Sequence, residues 1–331
     1  MDIRHNNYMR HNMNRHKISF ITALLMLAIL LNGVSLQAAK YAGEPFYLGV
    51  GAQALGMGSA FTSVSADVTA GFWNPAGLVN LNVKQAAFMH AETFGSLLNH
   101  DYLAFALPLN PQEHRAAAVS LTRLGGGGVK ITEWDQSTNR PHILREESHA
   151  DYQLIFSYAF RYSSRLAVGA NAKFIYRDIP TSSAYGLGAD LGIIYTPADY
   201  LAASVTVRDF TTTLLAYDTG TKESIYPTVI TGLKFSRDYR DFIFTAAADG
   251  DIRFENLRES AEFWQGSLSL DTHWGLEVGY QDKIFARGGI DIGKLTLGGG
   301  IKILPFQIDF AYLKHKELDD SFRISALFFW K

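Results

Sequence analysis

The 331-residue chain is 47% hydrophobic and 13% aromatic but only 19% charged, below the roughly 25% charge of average globular domains. Its formal net charge of −2 and its lack of cysteine argue against a basic nucleic-acid binder and exclude disulfide scaffolds, thiolate zinc sites, cysteine nucleophiles and a lipid-modified cysteine anchor. What remains is a chain with much apolar surface and little charge to cover it.

Residues 1–39 read as a secretory signal peptide. Arg4, Arg10, Arg15 and Lys17 form a basic start, Ile18 to Leu31 an apolar core, and Ser35 to Ala39 a small-residue exit. The core is shorter than the ~20 apolar residues of a spanning helix. Cleavage near Ala38 or Ala39 leaves no apolar run long enough to cross a membrane as a helix.

From residue 84 to the end, apolar and polar residues alternate. In 166–177 one face holds Leu166, Val168, Ala170, Ala172, Phe174 and Tyr176, while Asn171, Lys173 and Arg177 lie on the other. The same holds for Tyr185/Leu187/Leu191/Ile193 against Gly186/Gly188/Asp190/Gly192, and for Phe306/Ile308/Phe310 against Gln307/Asp309. A period of two is the β signature. Gly, Pro, Asn and Asp breaks divide the region into fourteen candidate strands.

A soluble sandwich or propeller and a transmembrane barrel both produce this pattern. Three features favour the barrel. The runs reach ten residues or more, the length needed to cross a bilayer as tilted strands. The second face is small and polar, as next to a lumen. Aromatic residues such as Tyr158, Phe160, Tyr176, Tyr195, Tyr280, Tyr312 and Trp330 gather near run ends, as at membrane interfaces. The expected fold is therefore an all-β transmembrane antiparallel barrel of about fourteen strands over 84–331, in contact with membrane lipid. In phase with its lumen are Asn171, Lys173, Asp190, Glu277, Arg287, Asp291, Lys302 and Asp309, whose role would be to hydrate and brace the interior.

Residues 40–83 do not alternate. Gly49 to Ala60 is rich in small residues, 61–65 is strand-like, and Ser65 or Asp67 is placed to cap a short helix over 68–72. Asn74-Pro75-Ala76-Gly77 then breaks it. A barrel of this size is too wide for wall side chains alone to fill, so this segment is expected to plug or frame the interior.

The run Gly51 to Ala60, with Gly56 and Gly58, followed by Asp67 to Leu78, with Asp67, Trp73, Asn74, Pro75, Ala76 and Gly77, resembles the signature of the PorV/PorQ family of outer-membrane proteins. That family is related to the FadL-type fatty-acid transporters, which share an Asn-Pro-Ala element in an amino-terminal hatch. The resemblance implies a FadL-like barrel in the outer membrane of a diderm bacterium, with 40–83 as the hatch. It also implies either a hydrophobic small molecule as cargo or proteins of type IX secretion or surface assembly as partners.

Enzyme signals are weak. Gly288 to Lys294 imitates a P-loop, but Leu295 follows where Ser or Thr would hold magnesium, and the flanks are strands. The histidines have no metal-ligand spacing, and no G-x-S-x-G elbow marks a nucleophile. No cofactor, metal or nucleic acid is expected. Two insertions, 125–147 and 251–265, read as loops on the outer side, where binding commonly resides. The favoured function is passive uptake or binding of apolar small molecules, with the partner-binding barrel second and a purely structural barrel third.

Overall fold

A computed structural model describes residues 42–93, 97–110, 112–314 and 320–331; the expected signal peptide lies outside them. The first strands are β1 (Lys84–Thr93), β2 (Leu98–Asn110), β3 (Arg115–Asp135), β4 (Arg140–Ser163), β5 (Leu166–Ile179), β6 (Ser182–Ala198) and β7 (Leu201–Arg208). Then come β8 (Thr213–Tyr217), β9 (Lys222–Ile225), β10 (Thr228–Tyr239), β11 (Phe242–Arg253) and β12 (Phe263–Gln265). The chain ends with β13 (Leu268–Tyr280), β14 (Ile284–Asp291), β15 (Lys294–Ile303), β16 (Phe306–Leu313) and β17 (Ser321–Trp330).

Fourteen of these strands form a closed antiparallel ring. Neighbours in sequence pair from β1 to β7, β7 pairs with β10, β11 with β13, and β13 to β17 follow in order. β17 closes on β1, with Lys84 opposite Trp330 and Phe88 opposite Ala326. Closure leaves no unpaired edge in the wall, which a lipid-embedded sheet requires. The three strands outside the ring, β8, β9 and β12, are short and were not separable from loops by pattern. β8 and β9 form a hairpin that pairs with β6 from Ala184 to Leu187, above the stretch where β6 pairs with β7.

The wall has two chemically distinct faces. In β5 the residues Ala167, Gly169, Asn171, Lys173, Ile175 and Arg177 are buried, while Ala170, Ala172 and Phe174 between them are exposed. Outward residues such as Leu187, Leu233, Trp274, Leu276, Ile301 and Ile308 are more than half exposed, a surface that only lipid covers favourably. Two aromatic belts border it. At one end Phe105, Phe328 and Trp330 stack with centroids 5.6 and 5.0 Å apart, and Phe242 meets Tyr280 at 5.1 Å. At the other, Tyr176 lies 6.1 Å from Tyr152 and 5.0 Å from Tyr185. Connections at the first end are short turns of two to four residues, while the second end carries 209–227, 254–267 and the longest hairpin. Short turns on one side and long loops on the other are the usual asymmetry of such barrels.

Two expectations need correcting here. Residues 125–147 are not a loop. β3 and β4 continue as a two-stranded ribbon, Lys130 opposite Glu146 and Trp134 opposite Pro141, beyond a break at Gly127 and Gly128. Its charges made it look like a loop, yet β-branched residues and a turn in which Asp135 accepts from the Ser137 amide at 2.8 Å keep it paired. Residues 251–265 are only partly a loop, because 251–253 finish β11 and 263–265 form β12.

Candidate functional site: the filled lumen

Residues 42–81 add no strand to the ring. They fold as α1 (Glu44–Tyr47), α2 (Ala52–Gly56), α3 (Ala70–Trp73) and a 3-10 helix at Pro75–Asn80, and they pack on the buried face of the wall. The core of the molecule is this contact, with Val50, Met57, Phe61, Phe72, Trp73 and Leu78 against Met89, Tyr102 and Ile155.

Glycines make two seats for the segment in the wall. At the first, an added Cβ on Gly289 of β14 would stand 2.3 Å from the Gly58 nitrogen, and one on Gly275 of β13 would stand 2.3 Å from the Met57 oxygen. Gly58 itself has φ +62° and no room toward the Trp274 and Ile290 backbone, and Gly56 meets the Gly298 Cα. The second seat holds Asn74 to Ala76 against Gly169 of β5 and Gly192 of β6. The small inward face was expected because side chains there would meet a lumen. These glycines are small for another reason, which is that the segment lies directly upon them, by its backbone at Gly169, Gly275 and Gly289 and by the Asn74 side chain at Gly192.

Polar contacts fix the rest. The Phe61 and Thr62 amides both donate to Asp249 Oδ2 at 2.8 Å, so 61–65 turns back through Val64 and Ser65 amides on the Phe61 carbonyl rather than forming the expected strand. The helix sits at Ala70–Trp73 instead of 68–72, because Asp67 Oδ1 accepts from the Thr69 amide and hydroxyl at 2.7 and 2.6 Å. Ser65 caps nothing. Burial raises the Asp67 carboxyl above its ordinary value, and the two Thr69 donors oppose that shift. Trp73 donates to the Val50 carbonyl at 3.0 Å. Asn74 ties the segment to the wall, accepting from the Ala76 amide at 3.1 Å and donating to the Ile193 carbonyl at 3.2 Å. Gly77 lies against the Ser65 oxygen with no space for a Cβ.

The eight lumen-phase residues fall into separate clusters. Lys173 binds Asp190 at 2.7 Å and Asp209, while Asn171 links Asp190 to the Gly71 carbonyl at 3.0 and 2.8 Å. Arg287 joins Glu277 and Asp309 at 2.5 and 2.7 Å, and Gln53 of α2 donates to Glu277 at 3.0 Å. Asp291 takes His273 at 2.8 Å and the Ser59 hydroxyl at 3.2 Å. Lys302 stands apart at the turn end, on Asp282 at 2.7 Å. Charges buried in this way persist only when paired. Arg177, Arg208, Asp249, Arg253 and Arg323 share the same inward phase and hold the segment as well, while His273 in that phase pairs with the wall carboxylates Asp291 and Asp251. The alternation could have found them, since Asp249 is in step with Thr245 and Ala247.

A cavity of about 10 Å³ lies among Phe46, Tyr47, Phe72, Ile155, Lys173 and Arg208, room for roughly one water. The cavity that the segment shares with the wall here is small, and its lining mixes aromatic, aliphatic and charged side chains.

Solved structures with this architecture include TbuX, the toluene transporter of Ralstonia pickettii, at TM-score 0.56 and 12% identity over 86% of this chain and 99% of that one. The monoaromatic hydrocarbon channel CymD matches at 0.55 and 13% identity over 85% and 98%. TodX, the toluene transporter of P. putida, matches at 0.52 and 12% over 84% and 96%. The fold is shared and the sequence is not. No family model and no curated protein matches the chain, and the PorV/PorQ resemblance gains no support from these comparisons.

Proposed function

We propose that the chain is an outer-membrane barrel, exported by the signal at 1–39, that passes apolar small molecules when residues 40–83 act as a hatch and leave their seats. One observation carries this reading. The lumen is filled by a segment that is seated on the wall and not woven into it, so the ring stays intact whichever way the segment moves. A fold in common with proteins described as toluene transporters and a hydrocarbon channel supports an apolar cargo and a transport role over catalysis. The motif residues Gly56, Gly58, Asp67, Trp73, Asn74, Pro75, Ala76 and Gly77 are the hinge and seat contacts of the hatch. Asn171, Lys173, Asp190, Glu277, Arg287, Asp291, Lys302 and Asp309 brace the passage.

The cysteine-free chain permits a clean test. Thr62 Oγ1 of the segment lies 3.1 Å from Ser204 Oγ of β7, so the pair Thr62→Cys and Ser204→Cys places two sulfurs within bonding reach. Uptake of toluene by intact cells carrying the oxidised pair should fall to the level of cells without the barrel and recover on reduction. Equal uptake in both states would refute a moving hatch.

A second reading, a partner-binding barrel of type IX secretion or surface assembly, draws on the PorV/PorQ resemblance. The β3–β4 ribbon favours it, because Trp134, Ile143 and Leu144 are more than half exposed there. Co-purification of a secretion component with the intact barrel, lost on Trp134→Ala, would support it.

A further inference from the structure

At the loop end of the lumen the contact between segment and wall has a distinct chemistry. Two buried arginines of the wall cover the aromatic rings of α1. The Arg253 guanidinium lies 4.7 Å from the Tyr47 ring centroid and the Arg177 guanidinium 5.5 Å from that of Phe46. Arg253 also binds the Glu44 carboxylate at 2.8 Å. Behind the rings are Ile175, Leu215 and Ile225, all fully or almost fully buried. The segment thus presents one carboxylate and two aromatic rings to a seat with cationic lids and an aliphatic floor.

Charge accounting within the seat distinguishes its arginines. Arg177 is neutralised without the segment, by Asp151 of the wall at 2.6 Å and Glu223 of the β8–β9 hairpin at 3.9 Å. The wall carboxylates Asp251 and Asp271 serve His273 and the Glu262 amide. The ion-pair partner of Arg253 is Glu44 of the segment. When α1 withdraws, Arg253 therefore loses its direct ion-pair partner beside an emptied aromatic seat; Asp251 and Asp271 act on it only through space, and a buried charge without a contact partner is costly. Nearby, Arg208 covers the Phe72 ring at 4.8 Å and donates to the Phe72 carbonyl at 3.4 Å.

We infer that α1 is a built-in stand-in for a ligand, and that the seat it occupies binds small aromatic monocarboxylates. The ring stacks under a guanidinium and the carboxylate takes the place of Glu44 on Arg253. The approach is from the loop end, where the Glu44 side chain is 44% exposed while that of Arg253 is 10% exposed. This inference rests on the hatch reading and narrows it, since the segment then competes with the anion for the same residues.

The test is equilibrium binding of benzoate and of toluene to the full barrel in detergent. Benzoate should bind, Arg253→Gln should weaken it by at least about tenfold, and toluene should be affected little by that change. Glu44→Gln removes the internal competitor, so benzoate affinity should rise as the competent state becomes more populated. This second variant alters a half-exposed side chain, which guards against misfolding as an explanation. Benzoate affinity unchanged in both variants, or no benzoate binding at all, overturns the inference. Toluene binding in the same preparation then reports on the hydrocarbon reading separately.

Discussion

The outer and inner faces of the barrel are made by the same strands from alternate residues, yet they obey opposite rules. Outside, Leu187, Leu276, Ile301 and Ile308 are more than half exposed on the face that acyl chains cover, so the side chain must be apolar and its shape is of little account. Inside, Gly275, Gly289 and Gly298 accept backbone at van der Waals distance, and Arg287 and Lys173 each hold two carboxylates. Shape and charge are both fixed there. One face answers to a solvent and the other to a partner in the same chain.

The largest expected effect comes from removing an inner charge. Arg287→Leu leaves Glu277 and Asp309 buried without their cation and should cost about 3–5 kcal/mol, read as a lower midpoint in urea unfolding of the folded barrel. The mirror change outside is next. Leu191→Arg puts a charge among acyl chains and should cost roughly 2–4 kcal/mol near the midplane, by the same measurement in lipid vesicles. Equal tolerance of both would erase the contrast between the faces. At the small end, Leu276→Ala loses contacts that lipid tails replace, and Trp134→Ala touches a ribbon outside the ring. Each should stay within about 0.5 kcal/mol of the parent, and a larger loss would mean that these positions pack on something more ordered than lipid or water.

The wall was legible in the sequence because a period of two is local and repeats in every strand. Fourteen ring strands, their order and the inward phase of residues such as Asn171 and Asp309 follow from alternation and turns. The segment was legible only as an exception to that pattern. Its inward-facing contacts join residues far apart in the chain, such as Phe61 with Asp249 or Gly58 with Trp274, and no local spacing announces them. The same limit explains the ribbon over 129–147. Exposed on both faces, it lacks the alternation that burial imposes, and its strand pairing is visible only in three dimensions.

Two adjacent glycines put the central claim to its most direct test. On β14, Gly288 faces outward with its nearest neighbour 3.8 Å from an added Cβ, while Gly289 faces the Gly58 nitrogen at 2.3 Å. Amide hydrogen exchange at residues 56–58 should be unchanged in Gly288→Ala. It should accelerate by on the order of tenfold or more in Gly289→Ala, as the segment is pushed from its seat. Identical exchange in the two variants would contradict a lumen filled by a segment resting on glycine seats.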